Sequence, residues 1–248
     1  GQFEAALAIY AEAEKSSSNP EFGWNRALAN LIRGRFAEGW REYETRFERE
    51  GGSARRSFPF AEWSGEPPAQ GRLLVYAEQG LGDEIMFASC IPDLVRTGAH
   101  VVLECDSRLE PIFRRSFPRV AVRGVKRDGR RDWLREFPDV VAQISIGSLP
   151  RFFRNRREDF PAHAQYLKAD PACVDDWRRT LPPGRPAIGL VWRGGTIKTR
   201  GLVRSLELET LRPLLAFDGI TIVCLQHDLR QDEAVLLQDA GAFVPQGL

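Results

Sequence analysis

Two glycine-containing loops hold the residues of this 248-residue chain whose types and spacing could do chemistry. The first loop covers residues 78–83, which are Glu78, Gln79, Gly80, Leu81, Gly82 and Asp83. Glycines let a backbone approach a ligand closely. An aspartate at a helix N-terminus stays ionised, because the helix dipole stabilises its charge. Asp83 could therefore accept a proton from a hydroxyl, or it could simply cap the helix that follows, and both roles stay open at this point.

The second loop follows Trp192 and contains Gly194, Gly195 and Lys198, with Arg204 a few residues further along. Backbone amides in a glycine turn, together with two cations, suit a diphosphate group. The alternative is a flexible basic loop without a ligand. Neither loop matches a known nucleotide fingerprint, since the first lacks the third glycine of G-x-G-x-x-G and the second lacks the P-loop spacing.

Alternating strands and helices must position the first loop. Short apolar runs predict strands at residues 73–77, 100–104, 120–125 and 140–146. Amphipathic stretches between them predict helices at residues 83–96 and 107–115. This alternation indicates an α/β fold with a parallel sheet and helical crossovers. Ligands bind beyond the carboxyl ends of the strands in such sheets, and the first loop directly follows the first strand.

A second α/β unit follows the Leu-Pro-Pro-Gly break at residues 181–184. The predicted elements around and after the break are helices at 171–181, 205–217 and 231–240, and strands at 187–192 and 220–225. Asp170 is the expected N-cap of the first of these helices, with Pro171 at its first position. We therefore predict one Rossmann-like domain at residues 72–184 and the beginning of another, incomplete one at residues 185–248.

The first 50 residues have the periodicity of amphipathic helices. The triplet at residues 1–3 (Gly-Gln-Phe) recurs as Gly-Arg-Phe at residues 34–36, and Tyr10 recurs as Tyr43. This shift is close to the period of tetratricopeptide repeats, although an unrelated helical hairpin is the alternative. Residues 51–71 are rich in glycine and proline, which predicts a linker or a wrapping segment. Trp63 in this segment is expected to pack on a neighbouring element.

Composition excludes several classes of protein. No apolar run approaches the length of a membrane-spanning helix, and the acidic amphipathic start is unlike a signal peptide. The four cysteines form no C-x-x-C pair, so we expect free thiols, no metal site and a reducing compartment, the cytoplasm. Residues 108–157 carry 14 basic and 5 acidic side chains, a net charge of +9. This block could attract an anion such as nucleic acid, or it could be a solvated arginine-rich surface.

Five stretches together resemble one protein family. The run at residues 76–87 (YAEQGLGDEIMF) resembles the first strand, loop and helix of bacterial tetratricopeptide-repeat glycosyltransferases with GT-B domains. These enzymes are relatives of lipopolysaccharide heptosyltransferases and, more distantly, of O-GlcNAc transferase. Residues 38–44 are similar to the family's last repeat helix, and residues 63–66 to its linker. Residues 188–192, with Arg204 and Ser205 after them, are similar to the opening of its second Rossmann-like domain, and residues 225–226 to the strand end that follows.

The resemblance implies transfer of a sugar from a nucleotide-sugar donor to a hydroxyl of a protein or glycan acceptor. It implies no obligatory metal and no cofactor. Asp83 would be the general base, with the rest of the 78–83 loop on the acceptor side. The donor diphosphate would be held by Trp192 and the loop after it, through Lys198, Arg204 and the amides near Gly194 and Gly195. The repeats would help to dock the acceptor.

Other readings of the sequence remain. The chain begins without methionine and its second domain is incomplete, so we expect a fragment that is inactive by itself. A non-catalytic tetratricopeptide scaffold with a degenerate α/β domain is the principal alternative. An anion or nucleic-acid binder that uses residues 108–157 is a third possibility.

Overall fold

The computed structural model describes residues 2–126, 130–161, 165–194 and 201–245. The chain divides into two compact units, Gly1–Ala169 and Asp170–Leu248. The division lies before the helix that begins at Pro171, whereas the sequence predicts the boundary after residue 184. Asp170 caps this helix, so the helix and its cap belong to one unit.

Unit one begins with three helices followed by a 3-10 turn: α1 (Phe3–Ala13), α2 (Pro20–Ile32), α3 (Phe36–Glu42) and the turn Tyr43–Phe47. The Asn19 side chain caps α2 by accepting a hydrogen bond from the Glu21 N–H, and Pro20 suits the first helical position. Helices α2 and α3 approach closely because Gly39 has no side chain. A Cβ there would lie 2.7 Å from the Leu31 side chain.

A five-stranded parallel sheet forms the centre of this unit. Its strands are β1 (Ala61–Glu62), β2 (Arg72–Tyr76), β3 (Val101–Asp106), β4 (Ala121–Val125) and β5 (Val140–Ser145). They lie in the order β1-β5-β2-β3-β4, and all the pairs are parallel. Strands β2 and β3 are covered on both faces, which explains their nearly continuous apolar sequences. The α/β fold with a parallel sheet is thereby confirmed, and the 78–83 loop follows the central strand.

Alternate residues of the strands build two apolar layers. One layer joins Leu73, Val75 and Leu103 to four helices, which are α4 (Leu81–Ala88), α5 (Ile91–Arg96), α6 (Glu110–Ser116) and α7 (Pro150–Phe153). The opposite layer joins Leu74, Tyr76 and Val102 to Phe58 and Trp133, which lie in irregular or 3-10 segments.

The helix predicted over residues 83–96 is two helices. Helix α4 ends at Ala88, and α5 begins at Ile91 after Cys90 as its N-cap. Pro92 explains the break, because proline has no N–H to donate and its ring collides with the carbonyl four residues earlier, that of Ala88.

Residues 51–71 do more than link two regions. Ala61–Glu62 forms β1 and pairs with β5 at the edge of the sheet. Trp63 is buried, and its indole N–H donates to the Glu66 carbonyl at 2.7 Å. Its ring packs against Phe152 at a centroid distance of 4.7 Å, as expected for a tryptophan in this segment. An edge strand of two residues is too short to leave a periodic signal in the sequence.

Unit two contains two parallel strands and three helices within its described residues: α8 (Pro171–Thr180), β6 (Ala187–Leu190), α9 (Arg212–Leu215), β7 (Thr221–Cys224) and α10 (Gln231–Asp239). The Asp170 carboxylate caps α8 by accepting from the Ala172 N–H, as predicted. The helix predicted over 205–217 is wrong in detail, because a 3-10 turn at Leu208–Leu211 precedes the short α9, which carries Pro213 in its first turn.

None of the helices in the described ranges combines the length and the apolar character that are needed to cross a lipid bilayer.

Candidate functional site

The 78–83 loop lies at the carboxyl edge of the sheet, directly after the central strand β2. Gly80 is the N-cap of α4, and the helix begins at Leu81. Gln79, just before the cap, has a φ of +62°, an uncommon conformation for a residue other than glycine. This sharp turn brings the backbone from the strand into the helix in few residues.

Asp83 is the third residue of α4. Its Oδ2 accepts a hydrogen bond from the Gly80 N–H at 3.0 Å, so the carboxylate caps the helix from inside its first turn. The side chain is partly exposed, and the neighbouring Gly82 is exposed with open space where a Cβ would stand. The capping role is therefore present, and it occupies one of the two carboxylate oxygens.

Glu78 is held in a buried ion pair that sequence reasoning did not find. Arg46 Nη2 donates to its Oε1 at 2.7 Å and Arg46 Nε to its Oε2 at 3.1 Å, and the two residues are 7% and 1% exposed. Arg46 Nη2 also donates to Ser148 Oγ at 2.8 Å, and Nη1 donates to Glu44 at 2.7 Å. A Cβ at Gly147 would lie 2.0 Å from Glu78 Oε1, so the loop after β5 must carry glycine there. Glu78 is thus a structural residue of this edge.

Tyr43 connects the helical segment to the same loop. Its hydroxyl and the Gln79 side-chain amide are hydrogen-bonded, with the amide nitrogen 3.1 Å from the hydroxyl oxygen. Burial of the phenol raises the pKa of Tyr43, so it remains protonated. Gln79 is therefore positioned by the helical segment as well as by its own turn.

A second group of carboxylates lies at the end of β3. Glu84 is fully buried and accepts the Asp106 N–H at 2.8 Å, and Asp106 accepts a two-pronged bond from Arg108. Glu104 is 1% exposed and paired with Arg56. Burial raises the pKa of Glu104, against the opposing effect of Arg56. Two carboxylates in a strand that begins as an apolar run, Glu104 and Asp106, were the sequence signal that could have drawn attention to this group.

An open cavity of about 280 Å³ lies beside these carboxylates, with Ala77 and Val125 as its apolar part. The charged residues that line it are Arg56, Glu78, Glu104, Asp106, Lys126, Arg130 and Arg131. Asp83 does not line this cavity.

In unit two, Trp192 is a core residue and not part of an open binding loop. It is 4% exposed and packs with Leu208 and Leu237. Its indole N–H donates to Glu233 Oε1 at 2.8 Å. Its backbone N–H donates to the Gln226 side-chain oxygen at 3.2 Å, so the segment that follows β7 fixes the start of the loop. The buried ring does not face a ligand, so the sequence prediction that assigns Trp192 to the donor-diphosphate site stays a prediction for its backbone and not for its side chain.

The remaining residues of the second loop have different outcomes. Gly194 is exposed and has open space where a Cβ would stand, and Arg204 is exposed at the end of a 3-10 turn. Gly195 and Lys198 lie outside the described residues. Arg193 Nη1 donates to Glu233 at 2.8 Å, so this cation serves the internal network.

Comparison with known proteins gives one curated relative to report. The chain is similar to Protein FlbA of Caulobacter vibrioides, with 32% identity over 269 residues that include all of this chain. The alignment covers 45% of FlbA, so the chain spans less than half the length of that relative. No family model matches the chain. No solved structure matches it either.

Proposed function

We propose that this chain belongs to a glycosyltransferase that transfers a sugar from a nucleotide-sugar donor to a hydroxyl of a protein or glycan acceptor, without an obligatory metal. The observation that carries the proposal is the position of Asp83. A partly exposed carboxylate stands in the first turn of α4, at the carboxyl edge of the central strand of a parallel sheet. The resemblance of residues 76–87 to glycosyltransferases with GT-B domains supports the same assignment.

The proposed reaction needs one base and a stabilised leaving group. Asp83 takes the proton of the acceptor hydroxyl while the hydroxyl oxygen forms a bond to the anomeric carbon. The bond between that carbon and the donor phosphate breaks, and the nucleoside diphosphate leaves with the electron pair. The capping bond from Gly80 holds the carboxylate in place and uses only one of its oxygens.

Positive charge in unit two would stabilise the departing diphosphate. Arg204 is exposed, and Gly194 leaves its backbone accessible, which are the properties such a site requires. The buried Trp192 ring would hold the start of this loop in place through its hydrogen bond to Glu233.

The helical segment would contribute the acceptor-docking surface of a tetratricopeptide array. The close packing of α2 and α3 at Gly39 supports this assignment, since paired repeat helices touch through small residues. The contact between Tyr43 and Gln79 would connect such a surface to the acceptor loop.

Calorimetric titration of the full-length protein with nucleoside diphosphates and their sugars tests the donor side. We expect Arg204→Gln to weaken binding about tenfold, because an ionic hydrogen bond is lost. Arg185→Gln is the matched control, since Arg185 is an exposed arginine of the same unit.

A transfer assay tests the base. Asp83→Asn retains an oxygen that can accept the Gly80 N–H, so the fold should survive while turnover falls by about two orders of magnitude or more. Asp232→Asn, in the first turn of α10, is the control. Wild-type turnover in Asp83→Asn would remove Asp83 as the base. Absence of any donor binding in the folded protein would favour the non-catalytic scaffold.

A further inference from the structure

Two consecutive residues of the 78–83 loop are held by one turn of the helical segment. Arg46 pairs with Glu78, and the Tyr43 hydroxyl is hydrogen-bonded to the Gln79 side chain. Tyr43 and Arg46 are three residues apart in the 3-10 turn after α3. Because a 3-10 helix has three residues per turn, both side chains leave the same side of it. The geometry of this turn therefore directs both side chains at neighbouring residues of the loop.

Packing fixes the position of the Tyr43 ring. The residue is 7% exposed, and its ring centroid lies 5.0 Å from that of Trp24, 5.4 Å from that of Trp40 and 6.1 Å from that of Phe87. Phe87 belongs to α4 itself, the helix that carries Asp83. Since the ring is already ordered by these contacts, its hydrogen bond to the loop requires little further loss of conformational entropy. The hydroxyl thus offers the loop a partner at a fixed place.

The backbone of Gln79 benefits from such a partner because its conformation is an unfavourable one. Its φ of +62° lies in the left-handed region, where a Cβ crowds the backbone. The peptide group between Gln79 and Gly80 is planar, so the backbone dihedrals on either side of it set the direction of the Gly80 N–H. That N–H donates to Asp83 Oδ2 at 3.0 Å. A return of Gln79 to a more common conformation rotates this peptide plane and turns the N–H away from the carboxylate.

We propose that Tyr43 is a positioning residue for the proposed base. Its hydroxyl holds Gln79 in the left-handed conformation, and the Gly80 N–H thereby holds the Asp83 carboxylate in the orientation for proton transfer. The inference rests on the proposed function, in which Asp83 is the base. It adds that the helical segment acts on the reaction itself, beyond docking of the acceptor. Because Tyr43 acts through the loop, its hydroxyl should affect turnover and not donor binding.

Amide hydrogen exchange of the full-length protein tests the geometry without a substrate. Mass spectrometry with fragmentation to single residues follows the Gly80 N–H in the wild type and in Tyr43→Phe. We expect exchange about three- to tenfold faster in the variant, because one neutral hydrogen bond no longer stabilises the turn. Tyr166→Phe is the matched control. The Tyr166 hydroxyl donates to the Ile85 carbonyl of α4 at 2.9 Å, so this variant loses a similar bond to the same helix and should leave the exchange of Gly80 unchanged.

Two substitutions of Gln79 separate the backbone conformation from the hydrogen bond. Asparagine adopts the left-handed conformation more readily than most residues, but it is one carbon shorter, which withdraws its amide from the Tyr43 hydroxyl. Alanine has neither property. Gln79→Asn should therefore keep more protection of the Gly80 N–H than Gln79→Ala does. Addition of Tyr43→Phe to Gln79→Asn should change the exchange no further, because the hydrogen bond is already absent.

The transfer assay that tests Asp83 supplies the second readout. In Tyr43→Phe we expect kcat to fall about three- to tenfold with the KM for the donor unchanged, and in Tyr166→Phe we expect neither to change. Thermal unfolding verifies that each variant is folded at the assay temperature.

Wild-type exchange of Gly80 in Tyr43→Phe would overturn the proposal. Equal effects of Tyr43→Phe and Tyr166→Phe would do the same, because they would reveal a general loss of stability. Faster exchange with wild-type kcat, while Asp83→Asn is inactive, would remove the positioning role and leave the proposed function intact. Wild-type turnover in Asp83→Asn would instead overturn the proposed function and, with it, the role of Tyr43 in turnover.

Discussion

Arg46 and Glu78 form a buried ion pair that joins the N-terminal helical segment to the carboxyl edge of the sheet. Arg46 belongs to the 3-10 turn after α3, and Glu78 follows β2. Their closest approach is 2.7 Å, and both side chains are almost fully buried. The pair also reaches the loop after β5 through Ser148. The helical segment is therefore part of the support for the candidate acceptor loop.

Loss of Arg46 should destabilise the protein strongly. Arg46→Met leaves the Glu78 carboxylate buried without its partner, and we expect a loss of about 3–5 kcal/mol in the free energy of unfolding. Urea denaturation measures it, with Arg41→Met, an exposed arginine of α3, as the control. The double variant Arg46→Met/Glu78→Met should recover part of the loss, since the Glu78 charge is removed as well and Glu44 keeps Arg55 and Arg151 as partners. If Arg46→Met and Arg41→Met lose the same free energy of unfolding, the ion pair of Arg46 and Glu78 does not stabilise the fold.

Gly147 should not tolerate alanine. The added methyl would lie 2.0 Å from Glu78 Oε1, and Arg46 prevents that carboxylate from moving away. We expect Gly147→Ala to cost about 1–3 kcal/mol by overpacking. Gly82→Ala is the matched control, because its Cβ would meet open space in the first turn of α4, where alanine is the better helix former. Equal melting temperatures for the two variants would contradict the geometry around Glu78.

The titration of Glu104 should make stability fall as pH rises. Burial raises its pKa in the folded protein above the ordinary value of 4.5, so the folded state keeps its proton to higher pH than the unfolded state does. The stabilising contribution is complete below 4.5 and is lost as pH rises through the folded-state pKa. Glu104→Gln does not titrate there and provides the reference.

The measurement is urea unfolding of the wild type and Glu104→Gln at several values of pH between about 4 and 7. The free energy of unfolding of the wild type minus that of the variant should decrease with pH. An increase would mean that the ion pair with Arg56 outweighs desolvation.

Substitutions at Trp192 and Arg204 should have different effects, the first on stability and the second on donor binding. Trp192→Phe removes the indole N–H that Glu233 accepts and should lower the free energy of unfolding by about 1–3 kcal/mol. It should leave the affinity for nucleoside diphosphates unchanged. Arg204→Gln should weaken the binding of nucleoside diphosphates and leave the free energy of unfolding unchanged, since Arg204 is exposed. Calorimetry and thermal unfolding of both variants check this, and a loss of donor affinity in Trp192→Phe with stability intact would return its ring to the binding site.

Sequence patterns predicted the elements whose signals are local. Strands β2, β3 and β5 were recognisable because a strand buried on both faces needs a nearly continuous apolar run. The N-cap of α8 was readable from Asp170 and Pro171, which act on adjacent residues. Pro92 is also a local signal for the break between α4 and α5, and the prediction of one continuous helix over residues 83–96 did not take it into account.

The amino-acid sequence by itself thus determined the α/β class, the parallel sheet and the place of Asp83 after a buried strand, and the tertiary structure made that strand the central one. Only the tertiary structure paired Arg46 with Glu78, 32 residues away, and with Ser148, 102 residues away. It also decided that Trp192 is buried and that Glu104 lines a cavity. The physical reason is that helix and strand periodicities record which side of an element is buried. The partner of a buried charge depends on how distant segments pack, and no local pattern records that.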